Sequence, residues 1–265
     1  MRRVSAVLWI LLVLVAVALV FFAFRLGRAS APTIDSSELP NRGPDLSGVW
    51  VGKPIQSYNP SDPSGKNLQD GTPYLPSALA QMKLERPGTG PNGTFNTNDP
   101  ALKYNDPDGY PRVLLHPFKF KFVITPSVIY QLFQYQQNWR AISMDRPHPA
   151  DPDPTWFGDA TGKFEGDALV VDTIGFNDRT WLDPVGRPHS DELHLVEHFR
   201  RINHDTLRDE ITFEDTKEYS KPWKGQVTFT LDPKGNMEEG FSTLSDELRF
   251  RNDVITPGAG KSGKK

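Results

Sequence analysis

Residues 193–213 read LHLVEHFRRI, NHD and TLRDEITF, and this stretch decides the fold class. On either side of the short polar segment NHD, apolar and polar residues alternate. An alternation with a period of two on both sides of a short turn is the pattern of a β-hairpin. The sequence therefore predicts two long antiparallel strands here, each with one buried face and one solvated face.

The predicted pairing places two carboxylates on the apolar face of this hairpin. With Ile202 opposite Thr206, Glu197 and Asp209 become diagonal neighbours, roughly 7–8 Å apart at Cα. Two carboxyl groups in one buried place raise each other's pKa, which is one way to make a general acid near neutral pH. In the alternative interpretation Arg201, on the same face, neutralises both groups in a buried structural cluster.

Seven other segments add β patterns to the hairpin, and one short segment is typical of a helix. The β segments are residues 45–51, 118–122, 128–136, 139–144, 168–174, 226–231 and 244–250, and the helical segment is 77–84. Many strands with little helix predict an all-β fold over residues 45–252, an antiparallel lipocalin-like barrel or alternatively a β-sandwich. Residues 54–111, rich in Pro, Asn and Gly, form a long loop that we expect to cover the barrel mouth.

The first strand contains Gly48-Val49-Trp50, which resembles the Gly-x-Trp motif of lipocalin-like barrels. The resemblance implies that Trp50 plugs the closed end of a barrel beneath an arginine from the last strand, a role open to Arg249 or Arg251. The alternative is an ordinary core tryptophan.

Several short motifs follow one another in close order. They are Arg146-Pro147-His148-Pro149, Pro154-Thr155-Trp156, the run EGDALVVDT at residues 165–173, Gly175-Phe176-Asn177 and Pro188-His189-Ser190. Together they resemble a group of exported bacterial proteins over residues 45–223. This resemblance implies an exported β-rich domain and no particular activity.

The N-terminus predicts export. Residues 4–24 form an apolar run broken only by Ser5, with Arg2 and Arg3 before it, and about 20 helical residues span a bilayer. Residues 1–31 are then a signal anchor that leaves the domain in the periplasm on a single-pass inner-membrane helix, with 32–44 as a tether. The alternative is a signal peptide cleaved near Ala31 and a secreted product. Residues 253–265 form a basic, Gly-rich tail that we expect to be disordered.

Composition excludes several function classes. The chain has no cysteine, so disulfides, thiolate metal sites and a cysteine nucleophile are excluded. Its net charge is −3, and the part after the four arginines of residues 1–31 is more acidic, which argues against nucleic-acid partners. Phosphate-cradling glycine loops, dinucleotide fingerprints and nucleophile elbows are missing from the sequence. Histidine spacing matches no standard zinc pattern, so we expect neither a metal nor an organic cofactor.

Candidate site residues concentrate between residues 145 and 209. We expect one group to serve acid–base chemistry and a second group to bind the ligand. The acid–base candidates are Glu197, Asp209, His189, His148 and Asp151, and the ligand-binding candidates are Trp156, Asn177, Trp181, His194 and Arg201. Histidines in Pro-rich loops at a barrel mouth are typical of proton shuttles, although each is also compatible with a rigid surface turn. The two tryptophans could stack on a ring-shaped ligand or seal the loops.

The sequence leaves three functions open. The first is a membrane-tethered barrel that binds a small organic molecule as an acid–base hydrolase, lyase or isomerase. The second is a non-catalytic lipocalin-like carrier or sensor, and the third is an envelope scaffold protein. Each needs a different interior, since fold class alone does not fix function.

Overall fold

The computed structural model describes residues 43–52, 58, 71–85, 88–89, 95–96, 99–240 and 243–250. The predicted apolar segment 4–24, the cleavage site near Ala31, nearly all of the tether 32–44 and the tail 253–265 lie outside the described residues. These expectations stay predictions. Among the described helices, none combines the length and the hydropathy needed to cross a membrane.

The described part of the chain is mostly β. The strands are β1 (Val49–Val51), β2 (Gly88–Thr89), β3 (Phe95–Asn96), β4 (Lys119–Ile124), β5 (Val128–Phe133), β6 (Trp139–Met144), β7 (Asp159–Glu165), β8 (Ala168–Ile174), β9 (His194–Asn203), β10 (Thr206–Glu214) and β11 (Trp223–Leu231). The helices are α1 (Pro76–Glu85), α2 (Pro100–Tyr104) and α3 (Leu244–Phe250), with 3-10 turns at Arg112–Leu115 and Tyr135–Gln137.

Nine of these strands close into a barrel in the order β1-β11-β10-β9-β8-β7-β6-β5-β4, and β4 pairs back to β1. The prediction of a barrel is therefore confirmed over the sandwich. The antiparallel prediction is wrong at one place, because β6 and β7 run parallel. Residues 145–158 cross back along the barrel, and a crossover of about a dozen residues is what a parallel pair requires.

Two elements differ from the sequence prediction. Strand β7 was not predicted, because its sequence DATGKFE lacks alternation, yet Gly162 fits there since a Cβ would lie 2.6 Å from Ile142. Residues 244–250, predicted as a strand, form α3. Thr243 and Asp246 cap this helix reciprocally: the Thr243 hydroxyl accepts from the Asp246 amide at 3.3 Å, and the Asp246 carboxylate accepts from the Thr243 amide at 3.3 Å. This is a capping box, and it overrides the β pattern.

The β9–β10 hairpin has the predicted register along most of its length. Arg201 pairs with Leu207, and Asp209 pairs with Phe199. The ladder shifts next to the turn, where Thr206 pairs with Asn203 instead of Ile202.

The inside of the barrel is filled by a cluster of apolar side chains that is rich in aromatic rings. Its buried phenylalanines are Phe120, Phe122, Phe133, Phe176, Phe199, Phe213 and Phe229. Phe120 contacts Phe229 edge to face, with ring centroids 4.7 Å apart, and Phe122 contacts Phe199 in the same way at 5.3 Å. Offset and edge contacts of this kind add to the free energy of burial.

One end of the barrel is closed by Trp50. The indole nitrogen donates to the Leu46 carbonyl at 3.1 Å, and the guanidinium of Arg201 lies 5.1 Å from the ring centroid. Arg201 also donates to the backbone carbonyls of Asp45 and Ser47. The predicted arrangement of a tryptophan beneath an arginine is present, but the arginine comes from β9. Arg249 lies in α3 instead, and Arg251 is outside the described residues.

The long segment before β4 contains α1, as predicted, and it contributes two buried tyrosines. Tyr58 is buried against β10 and β11, with its ring centroid 4.9 Å from that of Phe213. Its backbone crosses Gly225 closely, since a Cβ on Gly225 would lie 2.5 Å from the Tyr58 Cβ. Further along, Arg112 forms buried ion pairs with Asp99 and Asp108 at 2.6 and 2.9 Å. Several residues of this segment therefore belong to the core.

Candidate functional site

Glu197 and Asp209 face the inside of the barrel on neighbouring strands. Glu197 pairs with Ile211 and Asp209 with Phe199, so the two carboxyl groups are diagonal neighbours. Both residues have an exposed fraction of 0%. Ionisable groups are buried to this degree only when they are paired or neutralised.

A buried arginine from the opposite wall holds Glu197. Arg140 on β6 donates from its two terminal nitrogens to the two Glu197 oxygens, at 2.9 and 3.2 Å. Its Nε donates to Gln131 Oε1 on β5 at 2.8 Å. This two-pronged contact fixes the carboxylate of Glu197 and neutralises its charge.

Tyr110 completes the cluster from the loop that precedes β4. Its hydroxyl donates a hydrogen bond to Glu197, and its ring lies beneath the Arg140 guanidinium, 3.6 Å from centroid to Cζ. Burial raises the pKa of Tyr110 well above its usual range, so the phenol stays protonated. We call Tyr110, Gln131, Arg140, Glu197 and Asp209 the interior cluster.

Asp209 is the carboxyl group of the interior cluster that lacks hydrogen-bond partners among the described residues. Neither of its carboxyl oxygens accepts a hydrogen bond of normal geometry from a described residue. Burial and the neighbouring charge of Glu197 raise the pKa of Asp209 well above its usual range. The cluster contains one guanidinium, whose charge Glu197 already balances, so burial favours the protonated form of Asp209.

Tyr58 approaches the same carboxylates from the long segment. Burial first, and then the charges of Asp183, Asp209 and Glu197, raise the pKa of Tyr58 well above its usual range. Its hydroxyl has no hydrogen-bond partner among the described residues. A neutral phenol and a neutral carboxylic acid therefore lie in the same buried region. Groups of this kind donate hydrogen bonds to a carbonyl or to a developing oxyanion.

A second polar group runs over the outside of the barrel wall. His148 lies between two carboxylates, with Asp159 at 2.7 Å from its Nδ1 and Asp172 at 3.0 Å from its Nε2. His194 lies between Asp172 at 3.0 Å and Glu214 at 3.2 Å. Asp172 sits within β8 with its side chain on the outer face. Within the described ranges, no group of histidines and carboxylates has the geometry of a metal site.

His189 is buried beside its own loop. Its Nδ1 lies 3.2 Å from the Ser190 carbonyl, and its Nε2 has no hydrogen-bond partner in the described part of the chain. Burial lowers the pKa of His189, so the ring is neutral at pH 7. Ser190 is itself tied to Asp215, through its amide at 2.6 Å and its hydroxyl at 2.8 Å. The serine hydroxyl therefore donates to a carboxylate and is not activated by the histidine.

The other predicted residues lie in different places. Asp151 is exposed. Trp156 lies under Arg179, with the guanidinium 4.7 Å from its ring centroid, and Asn177 accepts a hydrogen bond from the Arg179 amide in its own turn. Trp181 is buried, 5.9 Å from the guanidinium of Arg112. These contacts seal the loops.

Arg201 does not neutralise Glu197 or Asp209, as the structural alternative required. Four residues along a strand separate Arg201 from Glu197, which is about 13 Å at 3.3 Å per residue. Arg201 instead binds Asp45 at the closed end, at 2.9 Å.

The sequence prediction missed Arg140, Gln131, Tyr110 and Tyr58. Arg140 shares a strand face with Ile142 and Met144, and Gln131 shares one with Ile129 and Phe133. A polar residue in the middle of an apolar strand face was a readable signal at both positions. The two tyrosines lie in irregular segments, where periodicity gives no such signal.

Comparison of this chain with known protein families, with curated proteins and with solved structures finds no match. The candidate site is therefore argued from its own geometry.

Proposed function

We propose that this protein is an exported barrel, held at the membrane by its N-terminal segment, that binds a small organic molecule at the interior cluster. We further propose that it acts on this molecule by acid–base chemistry without an organic cofactor, as a hydrolase, lyase or isomerase. The observation that carries the proposal is Asp209, a fully buried carboxyl group that lies beside a neutralised Glu197 and whose own oxygens accept no hydrogen bond of normal geometry from a described residue.

A purely structural role explains Asp209 poorly. A buried polar group that lacks a partner costs about 1–3 kcal/mol of stability, and an apolar residue would avoid that cost. By contrast, Glu197 has three donors, from Tyr110 and Arg140. Asp209 lacks hydrogen bonds of normal geometry to the described residues, whereas the neighbouring Glu197 has them. This difference fits a site in which a ligand supplies the missing hydrogen-bond partner of Asp209.

Each member of the cluster has a role in this proposal. Asp209, kept neutral by burial, donates its proton or a hydrogen bond to the ligand as a general acid. Glu197 accepts a proton, and Arg140 and Tyr110 hold its carboxylate in position.

A carrier without turnover is the second candidate. It is favoured by the closed end, where Trp50 lies beneath Arg201 as the resemblance to lipocalin-like barrels implied. In that case the interior cluster fixes the orientation of a transported molecule. The two candidates share the ligand site and differ in turnover.

The experiment that tests the proposal is a thermal-shift screen of the full chain in detergent against a metabolite library. The matched variants are Asp209→Asn, inside the barrel, and Glu210→Gln, on the outer face of the same strand. We expect a compound that raises the melting temperature of the wild type and of Glu210→Gln but not of Asp209→Asn. Turnover of that compound separates the enzyme from the carrier. Equal protection of all three proteins, or no protection by any compound, contradicts the interior site and favours a scaffold.

A further inference from the structure

The barrel wall is sparsely paired between β6 and β7. These strands pair through three residue pairs, from Ile142 with Ala160 to Met144 with Gly162, whereas β9 and β10 pair through nine. Strand β7 begins only at Asp159, so the first half of β6 has no partner on that side. Because this parallel pairing begins only at Ile142 and Ala160, the wall has a gap before that first residue pair.

A cleft of about 280 Å³ occupies this gap. We call it the β6–β7 cleft, and residues from both edges line it. Among them are Trp139, Arg140, Ala141, Arg146, Phe157 and Asp159. Its outer rim carries the exposed indole of Trp139 and the Arg146–Asp159 ion pair of 2.7 Å. The volume is below the range of pockets for drug-sized ligands, so the cleft fits a molecule of about one ring.

The β6–β7 cleft and the interior cluster share one residue, Arg140. Arg140 lines the cleft and binds Glu197 inside the barrel. Phe157 also lines the cleft, and its ring packs against those of Tyr110 and Phe133, with centroids 6.5 and 6.1 Å apart. Phe157 is only partly buried. Phe157 therefore contacts both the external cleft and Tyr110, the residue whose hydroxyl holds Glu197.

Several inner groups that have no partner among the described residues can donate hydrogen bonds. The Gln131 amide nitrogen and the Tyr58 hydroxyl are buried and have no partner among the described residues. Asp209, as a neutral acid, is a third donor. The charges of Arg140 and Glu197 balance each other. A ligand that matches such a site presents an acceptor oxygen and brings no net charge, since an unbalanced charge is costly to bury.

We propose that the β6–β7 cleft is the portal of the interior cluster, that Phe157 swings aside to open it, and that the ligand is a neutral, flat carbonyl compound of about one ring. This inference rests on the proposed function for the identity of the site. Trp139 offers the ring of such a compound a flat apolar surface at the rim, and the interior donors receive its carbonyl oxygen.

The absence of cysteine from the chain gives a direct test. Thr173 is buried and pairs with Ala160, which lines the cleft, and Thr173→Cys is a near-isosteric change. The thiol introduced there in the full chain is treated with three methanethiosulfonates: the neutral methyl reagent, an anionic sulfonatoethyl reagent and a cationic trimethylammonioethyl reagent. The rate of disulfide formation is measured by mass spectrometry, and melting temperatures confirm that each variant is folded.

We expect the neutral reagent to react at least about tenfold faster than both charged ones, since the charged forms must be desolvated. Adding Phe157→Ala should raise the neutral rate about tenfold, and filling the cleft with Ala141→Trp should lower it about tenfold. Val123→Trp, which adds the same side chain on the outer face of β4 away from the cleft, is the matched control and should leave the rate unchanged. Gln131→Cys repeats the measurement deeper in the barrel.

Two results overturn the inference. If neither Phe157→Ala nor Ala141→Trp changes the rate, or if the thiol stays unreactive in every variant, the portal lies elsewhere. If the charged reagents react as fast as the neutral one, the interior does not select neutral molecules. These rates require no ligand, so they are separable from the proposed function, which fails instead when the screen finds no compound whose protection depends on Asp209.

Discussion

Arg140 and Glu197 lie 57 residues apart in the chain and meet inside the barrel through two hydrogen bonds, of 2.9 and 3.2 Å. The side chain of Arg140 is 2% exposed and that of Glu197 is 0% exposed. This pair makes Glu197 a fixed, neutralised carboxylate and leaves Asp209 as the titratable group of the interior. The consequences for stability can be measured without knowledge of the ligand.

Glu197→Gln should lower the free energy of unfolding by about 3–5 kcal/mol, because it leaves the buried charge of Arg140 without a partner. Urea denaturation measures this change. The control Glu210→Gln, on the exposed face of β10, should stay within about 0.5 kcal/mol of the wild type. The double variant Arg140→Leu with Glu197→Leu removes both charges and should recover a large part of the loss. An equal loss in the single and the double variant would show that packing, not charge, stabilises the site.

Asp209→Asn should stabilise the protein at neutral pH. The pKa of Asp209 is raised in the folded state, so its favourable contribution is complete below the unfolded pKa of about 4 and is lost as pH rises towards the folded pKa. The wild type should therefore lose up to about 1.4 kcal/mol per pH unit relative to Asp209→Asn over this window. Urea denaturation at pH 5 and pH 8 gives the difference. Parallel pH profiles for the two proteins would mean that Asp209 is ionised in the fold.

His189→Gln should reduce the loss of folding stability at acid pH. The pKa of His189 is lowered in the folded state, so the stability that its burial allows is present above the unfolded pKa of about 6.5 and is lost below it. Between pH 6.5 and pH 5 the wild type should lose up to about 1.4 kcal/mol per pH unit relative to the variant. His204→Gln, at a ring that is 80% exposed, is the control and should follow the wild type. The prediction fails if the His189 variant is as acid-sensitive as the control.

Arg201→Leu should open the closed end and lower the free energy of unfolding by about 2 kcal/mol, because it removes hydrogen bonds from a charged donor to backbone carbonyls. Arg201→Lys keeps the charge but loses the planar fork, so we expect an intermediate loss. Hydrogen exchange at the Trp50 indole reports locally, since that nitrogen donates to Leu46 beneath Arg201. The neighbouring Arg200→Leu, on the outer face, should leave this exchange unchanged. Faster exchange in both variants would show that the effect is not specific to Trp50.

Much of the fold could be read from local pattern. Alternation predicted the β9–β10 hairpin with its register and the burial of Glu197 and Asp209, because a period of two fixes which side chains share a face. It also predicted most other strands of the barrel. It failed for β7, whose glycine serves a close approach to Ile142, and for α3, where a capping box decides the structure.

The sequence by itself determined that Glu197 and Asp209 are buried, since burial on a strand follows from the face on which a residue lies. Only the tertiary structure decided which cation meets them. Arg201 lies on the same strand as Glu197 and was the natural partner by sequence, yet four residues along a strand carry it to the closed end. Closure of the barrel instead brings Arg140 across from β6, and the loop before β4 inserts Tyr110. Contacts across a barrel depend on strand order and closure, which local periodicity does not encode.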